Sequence, residues 1–391
     1  MSNFIYISPN FPANHWNFCR QLLNNGINVL GIGDAEYDSL SYELKGSLNE
    51  YYKVSSLENY DEVFRAVAFF TFKYGKIDWL ESNNEYWLER DAKLRNEFNI
   101  MTGLHSEDME LVKFKSRMKL NYIKAGIPVA RYRMVDNYEG CMNFINEVGF
   151  PVVAKPDNGV GANDTYKIKN EADLKKFFEI KPDVLYIMEE YIYGEVETYD
   201  AIINSKSEPI FENGNVTVCN LMETVSENKN SCFYERAKLP ADLLDAGRRT
   251  VKAFGVKSRF VHMEFFRLDR DQHIGNKGDI VALEVNMRPP GGIAPTMMNW
   301  ANGTDVYEMW ADMVAFDKTD RGRTIEEVCI FASRRDGIEF RLTPEEVREK
   351  YELKQEGRVE EALSGAMANY MFIANFKTEA EAREFAKDVL S

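Results

Sequence analysis

Residues 280–292 read IVALEVNMRPPGG, and three of them could do chemistry together. Glu284, Asn286 and Arg288 fall at i, i+2 and i+4, so a strand would present them on one face. The carboxylate and the amide offer oxygen donors suited to a hard cation such as Mg²⁺. The guanidinium suits a phosphoryl group. A half-buried strand with its polar face in water would show the same pattern. Glu264 shifts the balance. It lies at the centre of RFVHMEFFRL (259–268), and a carboxylate inside an apolar strand is costly unless it is paired or ligated. Only the polar turn DRDQHIGNKGD separates the two strands, so a hairpin would set Glu264 against Glu284. Facing like charges repel unless a cation lies between them.

Basic and small residues upstream could complete such a site. The stretch FPVVAKPDNGVGANDTYKI (150–168) reads as a strand ending in Lys155-Pro156, a loop containing Gly159 and Gly161, and a second short strand. Small residues let backbone N–H groups approach phosphate oxygens while the lysine supplies charge. A plain hairpin would look the same, and the spacing is not that of a P-loop. Residues 184–203 read as strand, acidic hinge, strand. Glu189, Glu190, Tyr191 and Ile192 could offer adenine a backbone donor and acceptor, and Glu197 could accept ribose hydroxyls; a hairpin with exposed acids is the competing reading. Lys113, Lys115, Arg117 and Lys119 lie on a helix read over Leu111 to Lys124, where they form a solvated basic face. Arg236, Lys238 and His262 could meet a substrate carboxylate or serve structure alone.

The elements that must hold these groups begin with a β-α-β pattern: a strand at 3–7, a helix from His15 to Asn25 and a strand at 27–32. This order implies a parallel sheet. Its first turn is Ser8-Pro9-Asn10-Phe11-Pro12 rather than G-x-G-x-x-G, which argues against NAD. A helix over 59–74, a strand from Ile77 to Glu81 and a helix from Tyr86 to Phe98 follow. Asn83, Asn84 and Glu85 end that strand, as substrate contacts or as helix caps. Later come antiparallel strands around 208–218 and 231–237 and a helix from Pro240 to Phe254. Residues 321–391 read β-α-β-α, with Thr343 and Pro344 opening one helix.

In 391 residues, 45% are apolar, enough for two to four packed units. A formal net charge of −15 with no basic block makes nucleic acid or an anionic membrane a poor partner. The five scattered cysteines fit free thiols in a reducing compartment. With neither a signal-peptide pattern nor a spanning apolar segment, a cytoplasmic protein is expected.

Taken in order, Lys115, Lys155, Gly159, Glu190, Glu197, Glu264 and the E-x-N-x-R set Glu284, Asn286 and Arg288 resemble the ATP-grasp superfamily over roughly residues 1–320. The resemblance implies an α/β and α+β chain: a Rossmann-like N-terminal domain (1–100), a lid subdomain (101–190), a metal-bearing subdomain (191–320) and a small C-terminal α+β appendage (321–391). It implies ATP and Mg²⁺, with Mn²⁺ as a substitute. Lys115, Lys155, Gly159 and Gly161 would hold the phosphates, and Glu189 to Ile192 with Glu197 would hold adenosine. Glu264, Glu284 and Asn286 would be the metal ligands, and Arg288 and Lys155 the catalytic residues. The implied activity is an ADP-forming carboxylate–amine ligase working through an acyl-phosphate on small-molecule substrates, in a homodimer by default. A bicarbonate-activating carboxylase and a non-catalytic ATP-binding regulator are the alternatives. The substrates themselves are not encoded in any local pattern.

Overall fold

The computed structural model describes residues 2–159, 164–219, 224–225 and 227–391. Gly161 lies outside the described residues.

Three sheets carry the chain. Buried apolar strands in a β-α-β order form the first: β1 (Asn3–Ile7), β2 (Asn28–Gly33), β3 (Glu50–Lys53) and β4 (Trp79–Glu81), in the order β3-β2-β1-β4. All its pairs are parallel. The second is a small antiparallel sheet of β5 (Tyr132–Met134), β6 (Val152–Pro156), β7 (Tyr166–Ile168) and β8 (Tyr186–Glu190), ordered β5-β8-β6-β7.

The third sheet is antiparallel and has nine strands. It contains β9 (Gly194–Ile203), β10 (Pro209–Asn213), β11 (Asn215–Thr217), β12 (Ser231–Glu235), β13 (Arg259–Leu268), β14 (Ile280–Asn286), β15 (Val328–Arg334), β16 (Leu353–Arg358) and β17 (Tyr370–Phe376). The order is β14-β13-β9-β11-β12-β15-β17-β16, with β10 also pairing with β9. The segment 321–391 is therefore not a separate appended sheet. Its three strands extend the sheet that bears Glu264 and Glu284, because β15 pairs with β12 along five residues. The strand β16, not anticipated in the sequence, is only half-buried and begins at an irregular register, which weakens its pattern.

The nine-stranded sheet is covered on both faces. Tyr199, Ala201, Val261 and Met263 pack against the helix Ala241–Phe254. That helix comes so close that a Cβ on Gly247 would lie 2.2 Å from the Tyr199 ring. Farther along the same face, Val216 and Tyr234 meet Phe385 of the helix Glu379–Leu390. On the other face, Ile202 and Phe260 join Phe4, Phe18, Met298 and Trp310, so the parallel-sheet domain is seated directly on the large sheet. Each fully buried Leu, Val or Phe in these layers contributes about 1.5–3 kcal/mol. No helix among the described residues is long and apolar enough to cross a membrane.

Candidate active site

The hairpin β13–β14 sets Glu264 directly opposite Glu284, with a register irregularity just after Glu264. Directly opposed residues in a ladder share a face. Glu264 also opposes Thr198, and His262 opposes both Asp200 and Asn286. One face thus collects Thr198, Asp200, His262, Glu264, Glu284 and Asn286. The edge strand is held in place from beside it: Tyr122 Oη donates to the Glu284 carbonyl at 3.0 Å and Ala282 N–H to the Pro128 carbonyl at 2.8 Å.

The two carboxyls differ in their surroundings. Burial pushes the Glu284 carboxyl up; Lys115 opposes this and the facing Glu264 adds to it. Burial also works to raise Glu264, but the hydrogen bond and charge of His262 bring it below the usual range. His262 Nε2 lies 3.3 Å from Glu264 Oε1 and Nδ1 lies 2.5 Å from Asp200 Oδ1. Burial alone would lower His262, yet Asp200 holds it up at about 9. Asn286 Nδ2 reaches the same Glu264 Oε1 at 3.5 Å, leaving Oε2 without a hydrogen-bond partner among the described residues.

Lysines face this floor. Lys115 Nζ lies 3.5 Å from Glu284 Oε1 and donates to the Gly159 carbonyl at 3.2 Å. Lys155 and Lys119 grip the two oxygens of Glu189 at 3.0 and 2.9 Å. Burial opposes the Glu189 charge, but the two lysines pull its carboxyl down to about 2. Lys113 is buried too, 3.1 Å from Glu85. The solvated basic face read from this helix is thus corrected: Lys113, Lys115 and Lys119 are buried and paired, and only Arg117 is exposed. The helix itself is two helices, Met109–Lys113 and Lys115–Lys124, broken where Phe114 turns extended at φ −93° and ψ 117°. Phe114 bridges to Asn158, while Asp157 receives Lys115 N–H on its carbonyl and Ser116 N–H on its carboxylate. This break fastens Lys115 to the loop that follows Lys155.

The hinge divides its labour. The Glu190 carboxylate accepts Arg131 Nε and Nη2 at 2.8 and 2.6 Å, so its side chain is a clamp. Tyr191 and Ile192 lie between β8 and β9, and their N–H and C=O groups enter no backbone pairing among the described residues. Ile192 is buried, and the half-buried Tyr191 ring carries Lys167 at 4.0 Å.

Glu197 is not brought to this cluster. It opposes Phe265 and Val216, so its side chain lies on the far face. There Arg236 and Arg267 address its Oε1 at 2.7 and 2.9 Å. The sequence reading of Glu197 as a ribose ligand has no support in this placement, and Arg236, tied also to Glu379, is structural. Asn84 and Glu85 do not cap the following helix either; the N-cap is Trp87, with no side-chain bond.

Arg288 follows β14, half-buried. Its Nη1 donates to the Pro289 carbonyl at 2.8 Å, and no carboxylate pairs with it among the described residues. Two groups outside the sequence reading bear on it. Arg259 Nε donates to the Met287 carbonyl at 3.0 Å, while Glu81 at the end of β4 joins Arg259 and Arg95 at 3.1 and 2.9 Å. His15, buried beside Tyr6, is lowered to about 3 by burial and then by the Arg288 charge. His262, read from the sequence as a substrate contact or a structural residue, instead faces Asp200 and Glu264; the sequence reading misses Asp200. Lys119 gave no signal of its own.

Among the described residues, no three His, Cys, Asp or Glu side chains surround one point. Two carboxylates and one amide still fit Mg²⁺, which is commonly held by one or two carboxylates together with phosphate oxygens. The directly opposed Glu264 and Glu284 carboxylates, with the Asn286 amide beside Glu264, are the observation that favours the fit.

No family model matches the chain. An L-arginine-specific L-amino acid ligase from Bacillus subtilis is 23% identical over 239 residues, which are 59% of this chain but only 56% of that relative's length. Among solved structures, the L-amino acid ligase of Bacillus licheniformis superposes with a TM-score of 0.70 at 13% identity, covering 100% of this chain and 97% of that one. A biotin carboxylase–β,γ-ATP complex from Campylobacter jejuni gives 0.69 at 18% identity, covering 99% and 91%. An N5-carboxyaminoimidazole synthetase from Staphylococcus aureus complexed with ADP gives 0.69 at 12% identity, covering 100% and 97%. At these identities the likeness is one of fold: the chain shares its fold with these ligase, carboxylase and synthetase structures.

Proposed function

We propose that the chain is an ATP-dependent, ADP-forming ligase that joins a small carboxylate, such as an amino acid, to an amine through an acyl-phosphate. One observation carries the reading: a half-buried Arg288 without an acidic partner among the described residues stands beside a facing carboxylate pair, across from Lys115 and Lys155. The likeness to an L-amino acid ligase supports the same class.

In this reading the backbone of Tyr191 and Ile192 recognises adenine. Lys115 and Lys155 exchange their carboxylate partners for the triphosphate. Glu264, Glu284 and Asn286 would hold Mg²⁺, which supplies charge neutralisation during phosphoryl transfer. A carboxylate oxygen of the first substrate attacks the γ-phosphorus, and ADP leaves. The amine then attacks the acyl carbon, phosphate departs with the C–O bond electrons, and the amine loses a proton. Arg288 and Lys155 stabilise the charge that develops on the transferring group.

The test is a phosphate-release assay over a matrix of carboxylates and amines. Phosphate and ADP should appear only when an acid and an amine are both present. Turnover with bicarbonate alone would replace this reading with a carboxylase. Nucleotide binding without turnover on any pair would replace it with a regulator.

A further inference from the structure

Asp200 is wholly buried in the middle of β9, and such a carboxylate is costly unless something uses its charge. Its Oδ2 accepts Thr198 Oγ1 at 2.5 Å, and Thr198 Oγ1 in turn accepts Asn215 N–H at 2.8 Å. Its Oδ1 faces His262 Nδ1 at 2.5 Å, and His262 Nε2 faces Glu264 Oε1 at 3.3 Å. Three neighbouring strands, β11, β9 and β13, thus converge in a line that ends on Glu264 Oε1, while Oε2 takes no hydrogen bond among the described residues. A purely stabilising ion pair would need no such terminus, since a well-packed apolar pair serves stability as well.

We propose that Asp200 and His262 are positioning residues for the cation: Asp200 fixes the His262 ring, and the ring fixes the Glu264 carboxylate so that Oε2 points to the ion. This rests on the reading of Glu264 as a cation ligand. Residues that orient a metal's ligands typically change metal affinity 10–100-fold when removed, roughly the scale expected here. The geometry also predicts non-additivity. Once His262 no longer reaches Asp200, removing Asp200 should cost little more.

The test is Mn²⁺ binding to the full chain with a non-hydrolysable ATP analogue, followed by electron paramagnetic resonance, with thermal unfolding of each variant as the control. His262→Leu should weaken Mn²⁺ binding about 10–100-fold, with metal-free binding of the analogue unchanged. His262→Gln, whose amide can still donate to Glu264, should recover part of that loss. Adding Asp200→Asn to His262→Leu should change the affinity little. Asp200→Asn alone preserves volume and should weaken Mn²⁺ about tenfold, which keeps the test decisive if His262→Leu does not fold. Wild-type Mn²⁺ affinity in either folded single variant would overturn the proposal. The outcomes separate it from the reading beneath it. If Glu264→Gln binds Mn²⁺ as the wild type does, the cation-site reading itself fails. If Glu264→Gln loses the ion while His262→Leu and Asp200→Asn keep it, only the positioning role fails.

Discussion

The two faces of β9 and β13 hold buried carboxylates in opposite electrostatic conditions. On the far face, Glu197 receives two guanidiniums, and Arg267 and Arg236 continue outward to Asp242 and Glu379. Both guanidiniums reach Glu197 Oε1, and its Oε2 is buried with no hydrogen-bond partner among the described residues, so its charge is met by arginines on one side only. On the near face, Glu264 and Glu284 oppose each other with one imidazole and one lysine between them and their surroundings. Their charge is left available to a ligand. Burial and acidity alone therefore do not mark a site. What marks it is charge that the fold collects and leaves incompletely neutralised, here opposite lysines and an arginine that can release or accept phosphate oxygens.

Substitutions on the two faces should dissociate stability from binding. The largest effect is expected at the near-face rim: Arg288→Ala should raise the turnover barrier by about 2.7–4 kcal/mol, the scale of one lost oxyanion donor. Its nucleotide affinity should move far less, and steady-state kinetics with the true substrate pair would show the split. Glu284→Gln should weaken the metal–nucleotide complex by about 100-fold, the upper end for perturbed metal shells. Its melting temperature should hold or rise, because a facing like charge is removed. Glu197→Gln should do the reverse. It should cost about 2–3 kcal/mol of stability in denaturant unfolding, below the usual 3–5 for a fully buried pair because Arg267 is partly exposed. Metal–nucleotide affinity should stay unchanged. Equal loss of binding in the two glutamate variants would erase the contrast between the faces.

A further effect, confined to acid conditions, is a pH dependence beneath Arg288. His15 has a folded-state pKa of about 3 against an ordinary 6.5. Above pH 6.5 both folded and unfolded chains carry it neutral, and its contribution is fully present. As pH falls from 6.5 toward 3 only the unfolded chain takes up the proton, so stability is lost through that window. His15→Gln should flatten the melting-temperature profile over the same range. An unaltered profile would show that His15 is not held neutral.

The near-face pair was legible because the hairpin is local: a short polar turn fixes which residues of β13 and β14 oppose each other. Glu197 was misplaced because its face depends on where β9 joins that hairpin, and a one-residue shift of parity exchanges the two sides of a strand. The lysines misled for a different reason. A charged helix face looks solvated until the chain buries it between sheets, and Lys119 and Lys115 are buried by β8 and β14, which lie far away in sequence. The extended Phe114 that splits the helix follows from its bridge to Asn158, a contact no periodicity contains. The parallel sheet was readable from strand–helix alternation. The merging of 321–391 into the large sheet was not, because β12 and β15 are joined across a long stretch of intervening chain.

The most direct measurement is a crystal structure with Mn²⁺ and a non-hydrolysable ATP analogue, using anomalous scattering to locate the ion. The expected result is an anomalous peak between the Glu264 and Glu284 carboxylates, with the triphosphate against Lys115 and Lys155 and the adenine at Tyr191–Ile192. A nucleotide bound elsewhere, or one bound in the cleft with no ion between those two carboxylates, would contradict it.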